Sequence, residues 1–312
     1  MANVLKNITL YQVDSFTIEK FKGNPAGVVT NADRLTDEQM QMIARELNNS
    51  ETAFIFSPDA DDHKVRIRFF TPKTEVPTCG HATIAAHYVR AQENKLPSCT
   101  IKHKIGIGIL PVDIVKYEND LPKEQAGYKI FMTQGKPEFS LTLLSERQDE
   151  IISALDLNRS ELNRKCPMQI VSTGHSKVII GINSKKVLNS IKPDFFKLAD
   201  ISRKIKCNGY FVFTFDSDDN EILIHGRMFA PAIGINEDPV TGNANGPLGA
   251  YLVKHKLINF EGNSFKFNAK QGEAMGRPGI IEVEVNVDDT GEPILVKIGG
   301  EAITVFKTEI TL

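Results

Sequence analysis

The chain has 312 residues, with 37 basic against 39 acidic side chains and a formal charge of -2. That length allows one large or two medium domains, and the balanced charge argues against a nucleic-acid partner, since phosphate binding shows as a net basic domain or stripe. No apolar run approaches the ~20 residues that span a bilayer, and Met1-Ala2-Asn3-Val4 lacks the charged start and apolar stretch of a signal peptide, so no membrane partner and a cytoplasmic location are expected.

In chain order, Thr36 and Gln39 form a capping box ahead of a helix whose apolar stripe is Met40, Ile43, Ala44 and Leu47. Thr52 to Phe56 reads as a strand. Arg68-Phe69-Phe70-Thr71-Pro72 then leads to Thr78-Cys79-Gly80-His81-Ala82 and an apolar stretch ending at Tyr88-Val89. Lys102, His103 and Lys104 alternate with apolar residues and read as a solvated strand edge. The polar stretch from Tyr117 to Gly127 is the expected domain break, giving domains 1–124 and 125–299. Beyond it, Ser145 is expected to cap a helix carrying Ile151, Ile152 and Leu155, and Lys177 to Ile182 to form the strand matching Thr52 to Phe56. Arg227-Met228-Phe229-Ala230-Pro231 follows, then Val240-Thr241-Gly242-Asn243-Ala244, then an apolar stretch with Tyr251.

Arg-x-Phe-x-Pro, a glycine with His or Asn, and a small-residue apolar helix thus occur twice. A repeat of this period implies two similar α+β domains. From Ala82 to Val89 only Thr83 and His87 are polar, and a helix apolar nearly all round is buried. The expected architecture is a curved sheet wrapped around one central helix in each half.

Both buried helices start at a glycine, Gly80 and Gly242, where free backbone N–H groups and the positive end of the helix dipole would suit a carboxylate. Either glycine alone reads as a turn from strand into helix, whereas the pair in matched context points to a site. Glu51 stands where a helix ends and an apolar strand begins, where burial would raise its pKa toward the range useful for proton transfer; a solvated strand-end glutamate would read the same locally. His81 could donate to a substrate oxygen, relay a proton or cap its helix. Asp238 could be catalytic or a turn residue. Cys79-x-His81 offers two metal ligands, short of the usual ligand set, and no metal is expected. Cys79, Cys99, Cys166 and Cys207 form no CxxC pair and read as reduced thiols.

At these residues the chain resembles the PhzF family of phenazine-biosynthesis-like isomerases, which share the diaminopimelate epimerase fold. The matches include Val13-Asp14-Ser15-Phe16-Thr17, Gly23-Asn24-Pro25-Ala26-Gly27, Ser50-Glu51-Thr52-Ala53-Phe54, Cys79-Gly80-His81-Ala82-Thr83, Ser172-Thr173-Gly174, Glu237-Asp238-Pro239-Val240-Thr241-Gly242 and Gln271-Gly272. The resemblance implies two diaminopimelate epimerase-like domains related by pseudo-two-fold symmetry, an active site in the cleft between them, a homodimer and no cofactor. It also implies a last strand, about 300–312, that returns to the first domain. It assigns Glu51 as acid/base on a dihydro-hydroxyanthranilate, and places His81 and Asp238 around the substrate and Gly80 and Gly242 near its carboxylate. Cys79, Thr241 and Asn243 beside those glycines are further binding candidates, with a structural place at the helix start as the alternative for Cys79. The second motif lacks the thiol of a two-cysteine epimerase. A proton shift by Glu51 alone is the first expectation; a racemase and a non-catalytic carboxylate-binding protein are the alternatives.

Overall fold

A computed structural model describes residues 7–118 and 127–312. The described chain forms two compact units, one running to Thr133 and taking in Gly299–Leu312, the other Gln134–Ile298. The break expected at 124/125 lies outside the described residues.

The first unit comprises β1 (Asn7–Ser15), β2 (Asn24–Val29), α1 (Asp37–Leu47), β3 (Thr52–Phe56), β4 (Val65–Phe70), β5 (Glu75–Val76), α2 (Gly80–Asn94), β6 (Cys99–Ile105), β7 (Gly108–Tyr117) and β8 (Gly127–Thr133). The second comprises β9 (Glu138–Thr142), α3 (Ser145–Ala154), β10 (Gln169–Ser172), β11 (Lys177–Ile182), α4 (Lys185–Ser190), α5 (Phe195–Ile205), β12 (Tyr210–Thr214), β13 (Ile224–Ala230), β14 (Ile235–Asp238), α6 (Gly242–Lys254), β15 (Ser264–Gln271) and β16 (Gly279–Val287). The long β17 (Pro293–Thr311) begins in the second unit and ends in the first.

In the first unit β17 pairs with β1, and pairing continues through β2, β3, β4, β6, β7 and β8. β8 pairs with β17 again and closes the ring. Most neighbours are antiparallel; β2 with β3 and β4 with β6 are parallel. α2 lies against β1, β2, β3 and β8 inside that ring. Gly80 to Val89 and Ala91 are all buried, as a helix apolar on every side requires. A fully buried side chain such as Ile84 contributes roughly 1.5–3 kcal/mol by leaving water.

The second unit repeats this plan, with β11 parallel to β12 and β13 parallel to β15. Pairing runs from β9 and β10 through β11, β12, β13, β15, β16 and β17. Two backbone hydrogen bonds join the ends, Gln134 N–H to Val296 O at 2.9 Å and Gly135 N–H to Thr173 O at 3.0 Å. α6 is buried along nearly its whole length.

The capping box is formed: Thr36 Oγ1 accepts from Gln39 N–H at 3.2 Å, and Gln39 Oε1 accepts from Thr36 N–H at 3.1 Å. Met40, Ile43 and Ala44 face Phe54, Phe56 and Phe70 in one core cluster.

Three expectations need correction. Ser145 is the first helical residue of α3, Leu144 holds the cap position, and no side chain caps that helix. His103 is buried, not solvated, because strand alternation turns it inward while Lys102 points out. The strand matching β3 is β12, not β11. Thr52 stands opposite Phe70, two residues beyond Arg68, and Tyr210 stands opposite Phe229, two beyond Arg227. Thr52 therefore matches Tyr210, Glu51 matches Gly209, and α5, which precedes β12, occupies the place of α1.

Candidate active site

The two repeated arginines organise the approach to each central helix. Arg68 on β4 forks onto Glu75 of β5, both oxygens at 2.7 Å, and its third nitrogen reaches Asp37 of α1 at 2.7 Å. Arg227 on β13 forks in the same way onto Glu237 of β14 at 2.8 Å twice, and donates to the Leu188 and Ile191 carbonyls at 3.0 Å. Each guanidinium also lies over a phenylalanine two residues on, Phe70 at 5.1 Å and Phe229 at 4.9 Å. Paired charge-assisted bonds fix geometry as well as adding energy. Each clamp thus ties down the short strand from which the chain enters α2 or α6.

At the start of α2, Cys79 holds the cap position in extended backbone, φ -151°, followed by Gly80 and His81 in the first turn. Ser15 Oγ donates to the His81 carbonyl at 2.8 Å, pinning that turn to β1. Glu51, at the entry to β3, brings Oε2 to 3.4 Å from His81 Nε2, while His81 Nδ1 lies 3.5 Å from Cys79 Sγ. Ser50 Oγ is 3.2 Å from His81 Nε2. The Glu51 side chain keeps only 13% of its surface in water. Burial pushes its carboxyl pKa up, opposed by hydrogen bonds from Ser50 and Cys79. A carboxyl whose charged form is disfavoured by burial is suited to taking up and releasing a proton. The fold therefore brings Glu51, Cys79, Gly80 and His81 together.

Glu51, Cys79 and His81 each set a ligand atom within 4.8 Å of the others. The sequence offered two metal ligands here; the fold adds the carboxylate as a third, a donor set that a zinc-like ion accepts.

At the start of α6, Asp238 ends β14 and is buried, and Thr241, at the cap position, donates its hydroxyl to the Asp238 carboxylate. Gln271, the last residue of β15, holds this turn. Its Nε2 donates to Asp238 O at 2.8 Å and Thr241 Oγ1 at 3.1 Å, and its Oε1 accepts from Thr241 N–H at 3.1 Å and Asn245 Nδ2 at 3.0 Å. Gln134 Nε2 donates to Gly242 O at 3.1 Å and Asn243 Oδ1 at 3.0 Å, and Gln134 Oε1 accepts from Thr173 Oγ1 at 2.7 Å. Asp238, Thr241, Gly242 and Asn243 thus form a second group. A Cβ on Gly242 would stand 2.8 Å from Ile298, so the helix start admits only glycine without adjustment. Ser50, Gln134 and Gln271 had no assigned role from sequence; Ser50 and Gln271 stood inside quoted motifs, whereas Gln134 carried no signal.

The family model described as "Phenazine biosynthesis-like protein" matches residues 13–308. The chain belongs to this family. It is 60% identical to an uncharacterized isomerase of Clostridium acetobutylicum, over 99% of this chain and 100% of that one. It is 47% identical to the uncharacterized isomerase YddE of Escherichia coli K12, over 96% and 97% of the two chains. A solved phenazine biosynthesis protein of the PhzF family from Bacillus anthracis matches with a TM-score of 0.87 at 30% identity, covering 98% of this chain and 100% of that one. A hydroxyproline epimerase from Agrobacterium vitis shares the fold, with a TM-score of 0.63 at 10% identity. The chain is accordingly an isomerase of the PhzF family. Among the described residues, no helix is long and apolar enough to cross a membrane.

Proposed function

We propose that this isomerase moves a proton on a small carboxylate without a cofactor, resembling trans-2,3-dihydro-3-hydroxyanthranilate isomerase, with Glu51 as the single acid/base. The observation that carries this reading is the buried Glu51 carboxyl, its pKa raised by burial, against His81 at the start of α2. Glu51 takes a proton from carbon and returns it elsewhere on the conjugated system, on the same face, while His81 and Asp238 hydrogen-bond the substrate. Cys79, Gly80, Thr241, Gly242 and Asn243 serve its binding, and free N–H groups at helix starts suit its carboxylate.

The asymmetry between the units supports one base over two. The position matching Glu51 is Gly209, where a Cβ would lie 2.6 Å from the Phe229 carbonyl oxygen, so no acidic side chain fits there. Inversion of a chiral centre asks for an acid and a base on opposite faces; a same-face shift asks for one group.

The test compares wild type and Glu51→Gln on dihydro-hydroxyanthranilate in D₂O, read by NMR. Product with deuterium from wild type and none from the variant is the expected result. Equal turnover by both would remove Glu51 from the role, and inversion at a chiral centre would point to a racemase. Chelator-treated protein should turn over at the untreated rate. The family resemblance also carries the proposal of a homodimer, which light scattering tests. The proposal of a cytoplasmic location rests on four cysteines that form no CxxC pair and read as reduced thiols.

A further inference from the structure

Lys177, the first residue of β11, is 3% exposed. A buried charge is costly unless it is paired and hydrogen-bonded. Among the described residues its ammonium makes one hydrogen bond, to the Ser176 carbonyl at 3.3 Å, which leaves two of its three protons without an acceptor.

The direction of the side chain follows from strand alternation. Val178, Ile180 and Ile182 join the core cluster that includes residues of α3 and α5. Lys177, Ile179 and Gly181 therefore project from the other face. That face carries α6: a Cβ on Gly181 would touch the Phe213 ring at 3.3 Å, and Phe213 packs edge-on against Tyr251 of α6 at 6.3 Å. The ammonium lies within electrostatic reach of Asp238, which Thr241 ties to the start of that helix. Burial pushes the amine pKa down to about 8, with Cys207 and Asp238 pulling the other way, so at neutral pH it remains largely protonated. A ligand anion brought to this helix start would be repelled by Asp238 unless a cation offset that charge.

The matching position in the first unit has no such group. Gly27 stands opposite Thr52 and Val178 opposite Tyr210, so Lys177 takes the place of Ala26.

We propose that Lys177 binds an anionic group, a carboxylate, of the molecule this isomerase takes up, beside Asp238 and Thr241 at the start of α6. This deepens the reading above, on which the identity of the ligand rests. A charge-assisted hydrogen bond to a buried partner contributes on the order of tenfold or more in affinity.

The experiment measures thermal stabilisation by acetate against acetamide, and calorimetric binding of dihydro-hydroxyanthranilate, for wild type, Lys177→Met and Lys177→Gln. Wild type should prefer the acid to the amide, and both variants should lose that preference and bind the dihydro-hydroxyanthranilate about tenfold or more weakly. A lysine that only supports the fold would shift melting temperature without altering the acid-over-amide preference. Unchanged preference in both variants overturns the proposal, as does a wild type that responds to neither carboxylate. If wild type prefers acetate through Lys177 yet does not turn over dihydro-hydroxyanthranilate, the reaction assigned above fails and the lysine's role stands.

Discussion

The two units share a frame and differ in what the frame holds. In each, an arginine forks onto a glutamate and lies over a phenylalanine before a helix that starts at glycine. Where the first unit has Glu51 the second has Gly209, and where the second has Lys177 the first has Ala26. The central helices differ as well. Counting from Gly80 and Gly242, His87 matches Gly249; Val65 pairs with His103 where Ile224 pairs with Ala269. A repeated scaffold has thus kept its clamps and buried helices while its ionisable groups diverged, the pattern expected when the frame is selected for folding and single positions for chemistry.

The sharpest way to break the comparison is to exchange its acid. Glu51→Gln should lower proton exchange by about 10²–10⁴-fold or more, the usual contribution of a placed acid/base. Gly209→Asp should not create a second base. It should destabilise the protein by about 1–3 kcal/mol, because the new Cβ meets the Phe229 carbonyl; urea unfolding measures it.

The clamps should be unequal in stability. Arg227 is 8% exposed and Glu237 14%, and two carbonyls share the guanidinium. Arg227→Ala leaves a buried carboxylate unpaired and should cost about 3–5 kcal/mol. Arg68 faces Glu75 and Asp37, whose side chains are 42% and 73% exposed, so water replaces the lost partner and Arg68→Ala should cost about 1 kcal/mol. Equal losses would mean the clamps do not differ in burial as described.

Lys177 gives a stability effect with a defined pH window. Its amine titrates near 8 in the fold against an ordinary 10.5, so folding favours the neutral form. The resulting penalty is full below pH 8 and fades as pH rises toward 10.5. Lys177→Met should therefore be more stable than wild type at pH 7 by about 3 kcal/mol, with the margin closing above pH 8. Denaturation midpoints at pH 7 and pH 10 measure that closure, and a margin independent of pH would sink this account.

Much of the frame was legible in the sequence. Helices apolar on every side, the Thr36–Gln39 box and the repeated Arg-x-Phe-x-Pro are local patterns with one physical reading each. Which strand matches which was not legible, because β11 and β12 are both short apolar runs and only hydrogen-bond register separates them. The grouping of Glu51 with Cys79 and His81 joins residues from two elements through the fold, and the motif order alone hinted at it. Gln134 and Gln271 went unassigned because a neutral amide has no distinctive spacing; its importance lies in four hydrogen-bonding positions that only the folded chain fills.

The histidine pair separates the units at low pH. His87 Nε2 and His103 Nδ1 are 3.2 Å apart in the interior of the first unit, and the outer nitrogen of each ring is buried without a partner among the described residues. Burial drives the His103 pKa down to about 4 and that of His87 well below its usual value, with the His103 and Arg90 charges adding to the effect on His87. Both rings are thus neutral in the fold and protonate more readily once unfolded. Their contribution is full above about pH 6.5 and is lost as pH falls toward 4, amounting to about 3 kcal/mol for His103 alone at the acid end. The double variant His87→Leu, His103→Leu should differ little from wild type at pH 7 and unfold at higher urea than wild type at pH 4.5. Hydrogen exchange at that pH should show wild-type α2 opening before α6, because Gly249 and Ala269 give the second interior nothing to protonate at those positions. Loss of protection in both helices together would mean that acid acts on the chain through some other group.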